Sequence, residues 1–195
     1  MGIKNSKART VALLGVMSAV LVAVLFIESS IFKIFAYTPP AFLSLGILMT
    51  LCLCWDLKRA FLFSVIFGAT SLFCALYIGN PYFAMPWISI LPRLFVGPAA
   101  YGIFKFIKKA TQNKTRFWRV TFPLAVGAAV GILTNTILVI ACLSLFFPAG
   151  VEGGFTVAEW IGLCIKINFP IELVGAIILT PVLVVAVEKT AQRFN

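Results

Sequence analysis

The sequence predicts an all-α integral membrane protein, built as a bundle of six transmembrane helices with both termini in the cytoplasm. Hydrophobic residues make up 62% of the 195 residues, and charged residues only 11%. Soluble domains average about 45–50% and 25%. The mean hydropathy is +1.07. A soluble protein of this size leaves much of its surface in water, so this composition indicates that lipid is the main solvent.

The first three spans are predicted in the amino-terminal half. The apolar run at 11–27 follows a basic start and ends at Glu28 and two serines rather than at a small-residue cleavage site. It is therefore predicted to be a retained span and not a signal peptide. The run at 41–53 is shorter than the ~20 residues of a full crossing, which predicts a tilted or partly re-entrant helix. The third span, 60–78, follows the charged turn at 56–59.

The last three spans complete a single membrane domain, residues 1–195. A loop rich in Gly, Asn and Pro leads into the fourth span, 87–106. A basic linker then connects it to the fifth span, 122–147. The stretch 157–187 contains two prolines and is predicted to be one long kinked helix, the sixth span.

The positions of the basic residues predict the orientation. Thirteen of the sixteen lysines and arginines precede span one, follow span six, or lie between spans two and three or four and five. The positive-inside rule places these segments in the cytoplasm. Topology and contact with anionic lipid account for the net charge of +10, so no nucleic-acid partner is required.

The composition also excludes several kinds of chemistry. The chain contains no histidine, which removes His-based acid–base catalysis and the common His metal sites. It contains no P-loop motif for ATP. No acidic pair, Ser–Lys dyad or cysteine with a base indicates an enzyme. The five cysteines lie within apolar runs and are predicted to be packing residues rather than disulfides.

Polar residues inside the predicted spans indicate a binding pocket. A charge at the bilayer centre costs about 2.5–3.5 kcal/mol, so such residues usually face a cavity or a partner. Asn168 and Glu172 are four residues apart and share a helix face, and Lys166 is predicted at the edge of that face. The residues predicted to line a pocket open to the outside are Arg93, Asn135, Lys166, Asn168 and Glu172.

The pocket's net charge predicts an anionic ligand. Arg93 and Lys166 against Glu172 give +1, and a guanidinium matches a carboxylate in geometry. The amides of Asn135 and Asn168 would contact amide or hydroxyl groups of the ligand. Alternatively, Arg93 or Lys166 pairs with Glu172 to hold helices together, or Lys166 extends outward to the interface.

Aromatic residues cluster at the predicted outer mouth of this pocket. Tyr82 and Trp87 are assigned to substrate binding, although aromatic residues at span ends more often form the interfacial belt. Tyr82 and Phe83 lie in the loop, where they would form a lid with Gly79 as a hinge.

Span one carries a strip of small residues. Gly15, Ala19 and Ala23 recur every four residues. Such a strip allows another helix backbone to approach closely. The approaching helix could belong to a partner protein or to this chain.

Two local patterns carry a resemblance to a known family. They are Leu91-Pro-Arg-Leu-Phe-Val-Gly97 at the start of span four and Gly131-Ile-Leu-Thr-Asn-Thr136 in span five. With the six spans and the strip, they make the chain resemble the substrate-binding (S) component of an energy-coupling factor (ECF) vitamin transporter, a multi-pass protein of the bacterial plasma membrane. The resemblance covers nearly the whole chain.

The resemblance implies a division of labour between subunits. This chain would capture a vitamin from the extracellular side, with no cofactor of its own. A transmembrane coupling (T) component would dock on the strip at Gly15, Ala19 and Ala23. Two cytoplasmic ATPases would bind ATP and Mg²⁺.

Among the family's ligands, the anionic preference favours pantothenate. Arg93 would hold its carboxylate, and Asn135 and Asn168 its amide and hydroxyl groups. The alternatives are an S component for folate, cobalamin or riboflavin, a six-span structural scaffold, or a stand-alone secondary transporter, although no internal repeat of the kind found in such transporters is evident.

Overall fold

The computed structural model describes residues 7–35, 41–147 and 156–193, and every regular element within them is helical. Two π turns, Phe117–Thr121 and Cys164–Asn168, lead directly into the helices that follow them. The prediction of an all-α protein is confirmed. The helices are α1 Lys7–Phe35, α2 Phe42–Cys54, α3 Leu57–Ile78, α4 Pro86–Ser89, α5 Leu91–Ala110, α6 Phe122–Phe146, α7 Val157–Leu163 and α8 Phe169–Arg193.

Five helical stretches in the described residues are long and apolar enough to cross a bilayer, which makes the chain a multi-pass membrane protein. The predicted span at 41–53 corresponds to α2, whose 13 residues reach only about 20 Å against a ~30 Å hydrocarbon core. The sixth crossing therefore stays a prediction. So does the orientation of the termini, because residues 1–6 and 194–195 lie outside the described residues. The five stretches are Val11–Ile31, Leu57–Ile78, Pro86–Ala110, Phe117–Phe146 and Ala158–Val187.

The short helix α2 lies at the centre of the bundle. It contacts α1, α3, α5, α6 and α8, and nearly all its residues from Ser44 to Leu53 are buried. A helix that is apolar all round is stable only when all its faces are covered. These five helices therefore pack around α2, and the main hydrophobic core lies along it.

Glycine permits the closest of these helix contacts. A Cβ at Gly97 of α5 would lie within 3 Å of Ser64 Oγ, the Ala60 carbonyl oxygen and Cys52 Sγ. The Gly97 N–H also donates to Ser64 Oγ at 2.9 Å. Only a residue without a side chain lets α5 reach α2 and α3 at this point.

Both π turns precede a proline. The N–H of Phe122 donates to the Phe117 carbonyl, and that of Phe169 to the Cys164 carbonyl, so each bond spans five residues. Pro123 and Pro170 follow. Proline lacks an N–H, and its ring collides with the carbonyl four residues earlier in a regular helix. The wider turn accommodates each ring, so the predicted kink near Pro170 takes the form of a π turn.

The cysteines pack as small residues, as predicted. None of the five, all within the described residues, forms a disulfide, and Cys52, Cys74 and Cys164 are buried.

Candidate ligand-binding site

A cavity of about 150 Å³ lies among α3, α5, α6 and the π turn before α8. Its lining includes the carboxyl end of α3 and the loop after it, so the cavity lies toward the end of the bundle away from the basic linker. We call it the central cavity. Four of the seven predicted binding residues line it, and these are Arg93, Asn135, Asn168 and Glu172.

The Arg93 side chain is positioned by backbone carbonyls just before the start of its own helix, α5. A break at Ile90 separates α4 from α5, and Pro92 follows in the first turn of α5. Pro92 has no N–H to donate to the Ile88 carbonyl four residues earlier. Arg93 Nη1 donates to that carbonyl at 3.1 Å and to the Ser89 carbonyl at 2.7 Å. The Pro-Arg pair in the sequence therefore frees a backbone acceptor and supplies its donor.

The rest of the guanidinium is available to a ligand. Arg93 is 8% exposed and lies between the rings of Phe67 and Phe83, with its Cζ 5.8 Å and 5.4 Å from the ring centroids. Its Nε is buried without a hydrogen-bond partner in the described residues, and within them Arg93 forms no ion pair. Aromatic faces stabilise a cation but leave its N–H donors free.

Asn135 and Asn168 bring two free acceptors to the same cavity. Asn135 lies on α6, and Asn168 ends the π turn before α8. Each side chain is 8% exposed. Each Oδ1 is buried and accepts no hydrogen bond from the described part of the chain. A buried polar atom left unpaired costs about 1–3 kcal/mol, so these two oxygens indicate where a ligand's donors would bind.

Glu172 lines the cavity but is already engaged with the backbone. Its Oε1 accepts from the Ala41 N–H at 3.1 Å, beside the start of α2. Glu28 accepts there as well, from Leu43 N at 2.9 Å and Ser44 N at 3.1 Å. The N–H groups of a first helical turn have no partner within their own helix. Glu172 forms no ion pair with Arg93 or Lys166. The alternative in which such a pair holds the helices together is therefore not found.

The structure corrects the placement of Lys166. Its side chain is exposed and does not line the central cavity. Lys166 precedes Asn168 by two residues, which is about half a helical turn. Because Asn168 faces inward, Lys166 lies on the opposite, outer side. Its exposure is in line with the alternative in which Lys166 extends outward. The charged residues that line the cavity are Arg93 and Glu172, so its formal charge is zero rather than +1.

The predicted lid loop covers one end of the cavity. Gly79 ends α3 with a left-handed φ of 79°, which favours glycine. Asn80 Oδ1 accepts from Tyr82 N at 3.1 Å and Phe83 N at 3.4 Å, which fixes the turn after it. The Ser89 hydroxyl donates to the Phe83 carbonyl.

The two predicted aromatic binding residues do not line the cavity. Tyr82 is 4% exposed and packs on Trp160 and Phe147, with ring centroids 6.3 Å and 5.9 Å away. Trp160 and Phe83 line the cavity instead, and their ring centroids are 5.1 Å apart. Trp87 is 43% exposed and packs on Phe146, as expected of an interfacial belt.

The small-residue strip faces away from the bundle. Gly15, Ala19 and Ala23 are all exposed, and no atom lies within 4 Å of a Cβ built on Gly15. The inward side of α1 carries Leu21 and Leu25 instead. No helix in the described part of the chain covers the strip. The alternative in which the approaching helix belongs to this chain is therefore not observed.

Several polar lining residues were not assigned as binding residues from the sequence. They are short side chains whose spacing gives no pattern of its own, although Asn80 stands next to the predicted hinge. Glu28 was also missed as a helix cap, because the sequence does not show which helix start it meets. The additional polar residues that line the cavity are Ser29, Ser71, Asn80 and Thr136.

The cavity thus offers one cationic donor and two neutral acceptors. A complementary ligand carries an anionic acceptor for Arg93 and O–H or N–H donors for Asn135 and Asn168. The aromatic side chains around these groups, Phe67, Phe83 and Trp160, exclude water and strengthen such bonds.

The chain is similar to the pantothenic acid transporter PanT of Lactococcus lactis subsp. cremoris (strain MG1363). The two are 26% identical over 205 residues, which cover 95% of this chain and 97% of the relative. No family model and no solved structure matches. The similarity confirms the predicted resemblance to a pantothenate-type transporter, and a transporter relative agrees with a transport protein rather than an enzyme. With five apolar helices, the chain is a multi-pass protein of the plasma membrane of a bacterium.

Proposed function

We propose that the chain is the substrate-capturing membrane subunit of an ECF-type, ATP-dependent vitamin importer, and that its ligand is pantothenate. One observation carries the proposal. Three buried polar atoms, Arg93 Nε, Asn135 Oδ1 and Asn168 Oδ1, have no hydrogen-bond partner among the described residues, and they belong to side chains that line one cavity. The similarity to a pantothenic acid transporter over 95% of the chain supports the choice of ligand.

Pantothenate has a hydrogen-bonding group for each of these three polar atoms. Its carboxylate binds the Arg93 guanidinium in a charge-assisted hydrogen bond. Its hydroxyl and amide N–H groups donate to the two asparagine oxygens. A cavity of about 150 Å³ is below the ~300–1,000 Å³ of drug-sized sites, which favours a small vitamin over folate or cobalamin. Thiamine is a cation and would meet Arg93 unfavourably.

The proposed capture occurs from the extracellular side. The central cavity lies toward the end of the bundle opposite the basic linker, and the positive-inside rule assigns the linker to the cytoplasm. The lid loop at 79–85 then faces outward. In this topology α2 counts as a short second crossing, which gives six spans and two cytoplasmic termini.

The energy for transport comes from partner proteins. In the family that the chain resembles, two separate cytoplasmic ATPases bind ATP and Mg²⁺, and a sequence without a P-loop fits this division. The coupling (T) component docks on the exposed strip of Gly15, Ala19 and Ala23, where its helix can approach the backbone of α1 closely.

Calorimetric titration of the purified chain without ATP tests the proposal. We expect saturable binding of pantothenate and no binding of thiamine, folate, riboflavin or cobalamin. Pantothenol, in which a hydroxyl replaces the carboxylate, is expected to bind at least about tenfold more weakly, since it forfeits a charge-assisted hydrogen bond. Preferential binding of another vitamin would reject pantothenate, and binding of none would favour a structural scaffold.

A further inference from the structure

A second cavity, of about 250 Å³, lies at the opposite end of the bundle. It is formed by the end of α2 with Trp55 after it, the last turns of α5 and the π turn before α6, and we call it the basic cavity. Three cationic side chains line it, and these are Lys105, Lys108 and Arg119. None of the residues that line the central cavity contributes to it.

The positive charge of this cavity is not neutralised by the described residues. Within them, none of the three cations forms an ion pair, and Asp56, an acid at the same end, pairs with Arg59 at 3.9 Å. Lys105 Nζ lies 5.4 Å from the ring centroid of Tyr101 and Lys108 Nζ 5.0 Å from that of Phe104. Aromatic faces orient the ammonium groups and leave their charge available to an anion.

Trp55 adds an unpaired hydrogen-bond donor. Its side chain lines the basic cavity and is only 6% exposed. Its indole Nε1 is buried and has no acceptor in the part of the chain that the structure describes. Buried polar groups are nearly always paired, so the indole N–H indicates that an acceptor belongs in this cavity.

The basic cavity also has an apolar side. Leu53, Leu124 and Val184 line it. A ligand that fits both sides has an anionic head with several acceptor oxygens and an apolar remainder.

We propose that the basic cavity binds the phosphodiester headgroup of an anionic phospholipid. The phosphate oxygens accept from the indole N–H of Trp55 and from the cations, as charge-assisted hydrogen bonds favour. The apolar part of the lipid lies against Leu53, Leu124 and Val184. Basic pockets between helices at the membrane surface are suited to acidic headgroups. The proposal does not depend on the identity of the vitamin.

Lipid titration of the delipidated full chain in neutral detergent tests this site. The probes are dihexanoyl phosphatidylglycerol, dihexanoyl phosphatidylcholine and inorganic phosphate, with native mass spectrometry to count adducts and thermal unfolding to report stabilisation. We expect phosphatidylglycerol to bind and raise the unfolding temperature, phosphatidylcholine to bind at least about tenfold more weakly, and inorganic phosphate not to displace the lipid.

Two triple variants with the same charge change locate the site. We expect Lys105→Gln/Lys108→Gln/Arg119→Gln to lose most of the preference for phosphatidylglycerol. Lys109→Gln/Lys114→Gln/Arg116→Gln, which removes three exposed charges outside the cavity, is expected to keep it. Trp55→Phe retains the ring without the N–H, and we expect it to bind the lipid about three- to tenfold more weakly.

Three outcomes would overturn the proposal. Equal loss in both triple variants would mean diffuse surface charge rather than a site. Equal affinity for the two lipids would show that the cavity does not recognise an anionic headgroup. Displacement of the lipid by inorganic phosphate would assign the cavity to a soluble anion.

Discussion

Glu28 and Glu172 lie on the first and last helices of the chain and accept hydrogen bonds from the same helix start, that of α2. Glu28 takes the N–H groups of Leu43 and Ser44, and Glu172 takes that of Ala41. Where water is excluded, unpaired backbone N–H groups are costly, and carboxylates also suit the positive end of the helix dipole. The two acids therefore fasten the central helix to α1 and α8, and Glu172 links this fastening to the wall of the central cavity.

Removing the Glu28 carboxylate is expected to destabilise the whole bundle. We expect Glu28→Ala to lower the free energy of unfolding by about 2–3 kcal/mol, because the buried N–H of Ser44 and the partly buried N–H of Leu43 lose a charged acceptor. Chemical denaturation in detergent, followed by circular dichroism, measures the change. Lys166→Ala is the control. Lys166 is exposed in the π turn before α8, so we expect this variant to change stability little. Equal stability of both variants would show that α2 is held by packing alone.

Replacing Arg93 is expected to weaken pantothenate binding selectively. We expect Arg93→Gln to raise the dissociation constant at least about tenfold, since the carboxylate loses its charged donor. Lys166→Gln removes the same charge outside the cavity and is expected to bind like the unmodified chain. Calorimetry on both variants gives the comparison. Loss of affinity in both would implicate the overall charge rather than Arg93.

Asn135→Leu is expected to change stability and binding in opposite directions. Without ligand, the variant no longer buries an unpaired oxygen, so we expect its unfolding free energy to rise by about 1 kcal/mol. Pantothenate loses an acceptor and is expected to bind about tenfold more weakly. Thr134→Val is the control: Thr134 Oγ1 donates to its own helix, at the Val130 carbonyl, and Thr134 does not line the cavity. A less stable Asn135→Leu chain would mean that the amide serves the fold.

Gly97→Ala is expected to separate α5 from α2 and α3. The added Cβ would meet backbone and side-chain atoms within 3 Å, and overpacking of this kind costs about 1–3 kcal/mol. Gly102→Ala in the same helix, where no atom lies within 4 Å of the new Cβ, is expected to be neutral or slightly stabilising because alanine favours helix. Thermal unfolding of the two variants measures the difference. An unaffected Gly97→Ala chain would contradict the close approach.

Ala19→Trp is expected to abolish docking of the coupling component while leaving vitamin capture intact. The strip is exposed, so the chain itself tolerates the larger side chain, whereas a partner helix cannot approach it. Val20→Trp, at a neighbouring exposed position outside the strip, is the control. Co-purification of the coupling component reports docking, and calorimetry reports capture. If Ala19→Trp still co-purifies as the control does, the strip is not the docking surface.

Sequence reasoning reached the membrane, the helices and most of the charged lining of the central cavity. Apolar length is a local property, so the helical stretches follow from it, and the four-residue spacing of Asn168 and Glu172 correctly places both on one face. The same reasoning misplaced Lys166, because half a helical turn separates it from the inward face. It also assigned Tyr82 and Trp87 to the site, whereas Phe83 and Trp160 line the cavity.

Composition and the length of the apolar runs are enough to show that this is a membrane protein, and that polar groups inside those runs need partners. Which of these groups find a partner within the described part of the chain depends on how the helices pack. Glu172 meets the start of α2 rather than Arg93, and Arg93 meets the carbonyls that Pro92 and the helix break expose. The physical reason is that hydrogen bonds act over about 3 Å, while the groups they join come from distant helices. Their meeting depends on how those helices pack around α2, which no local pattern encodes.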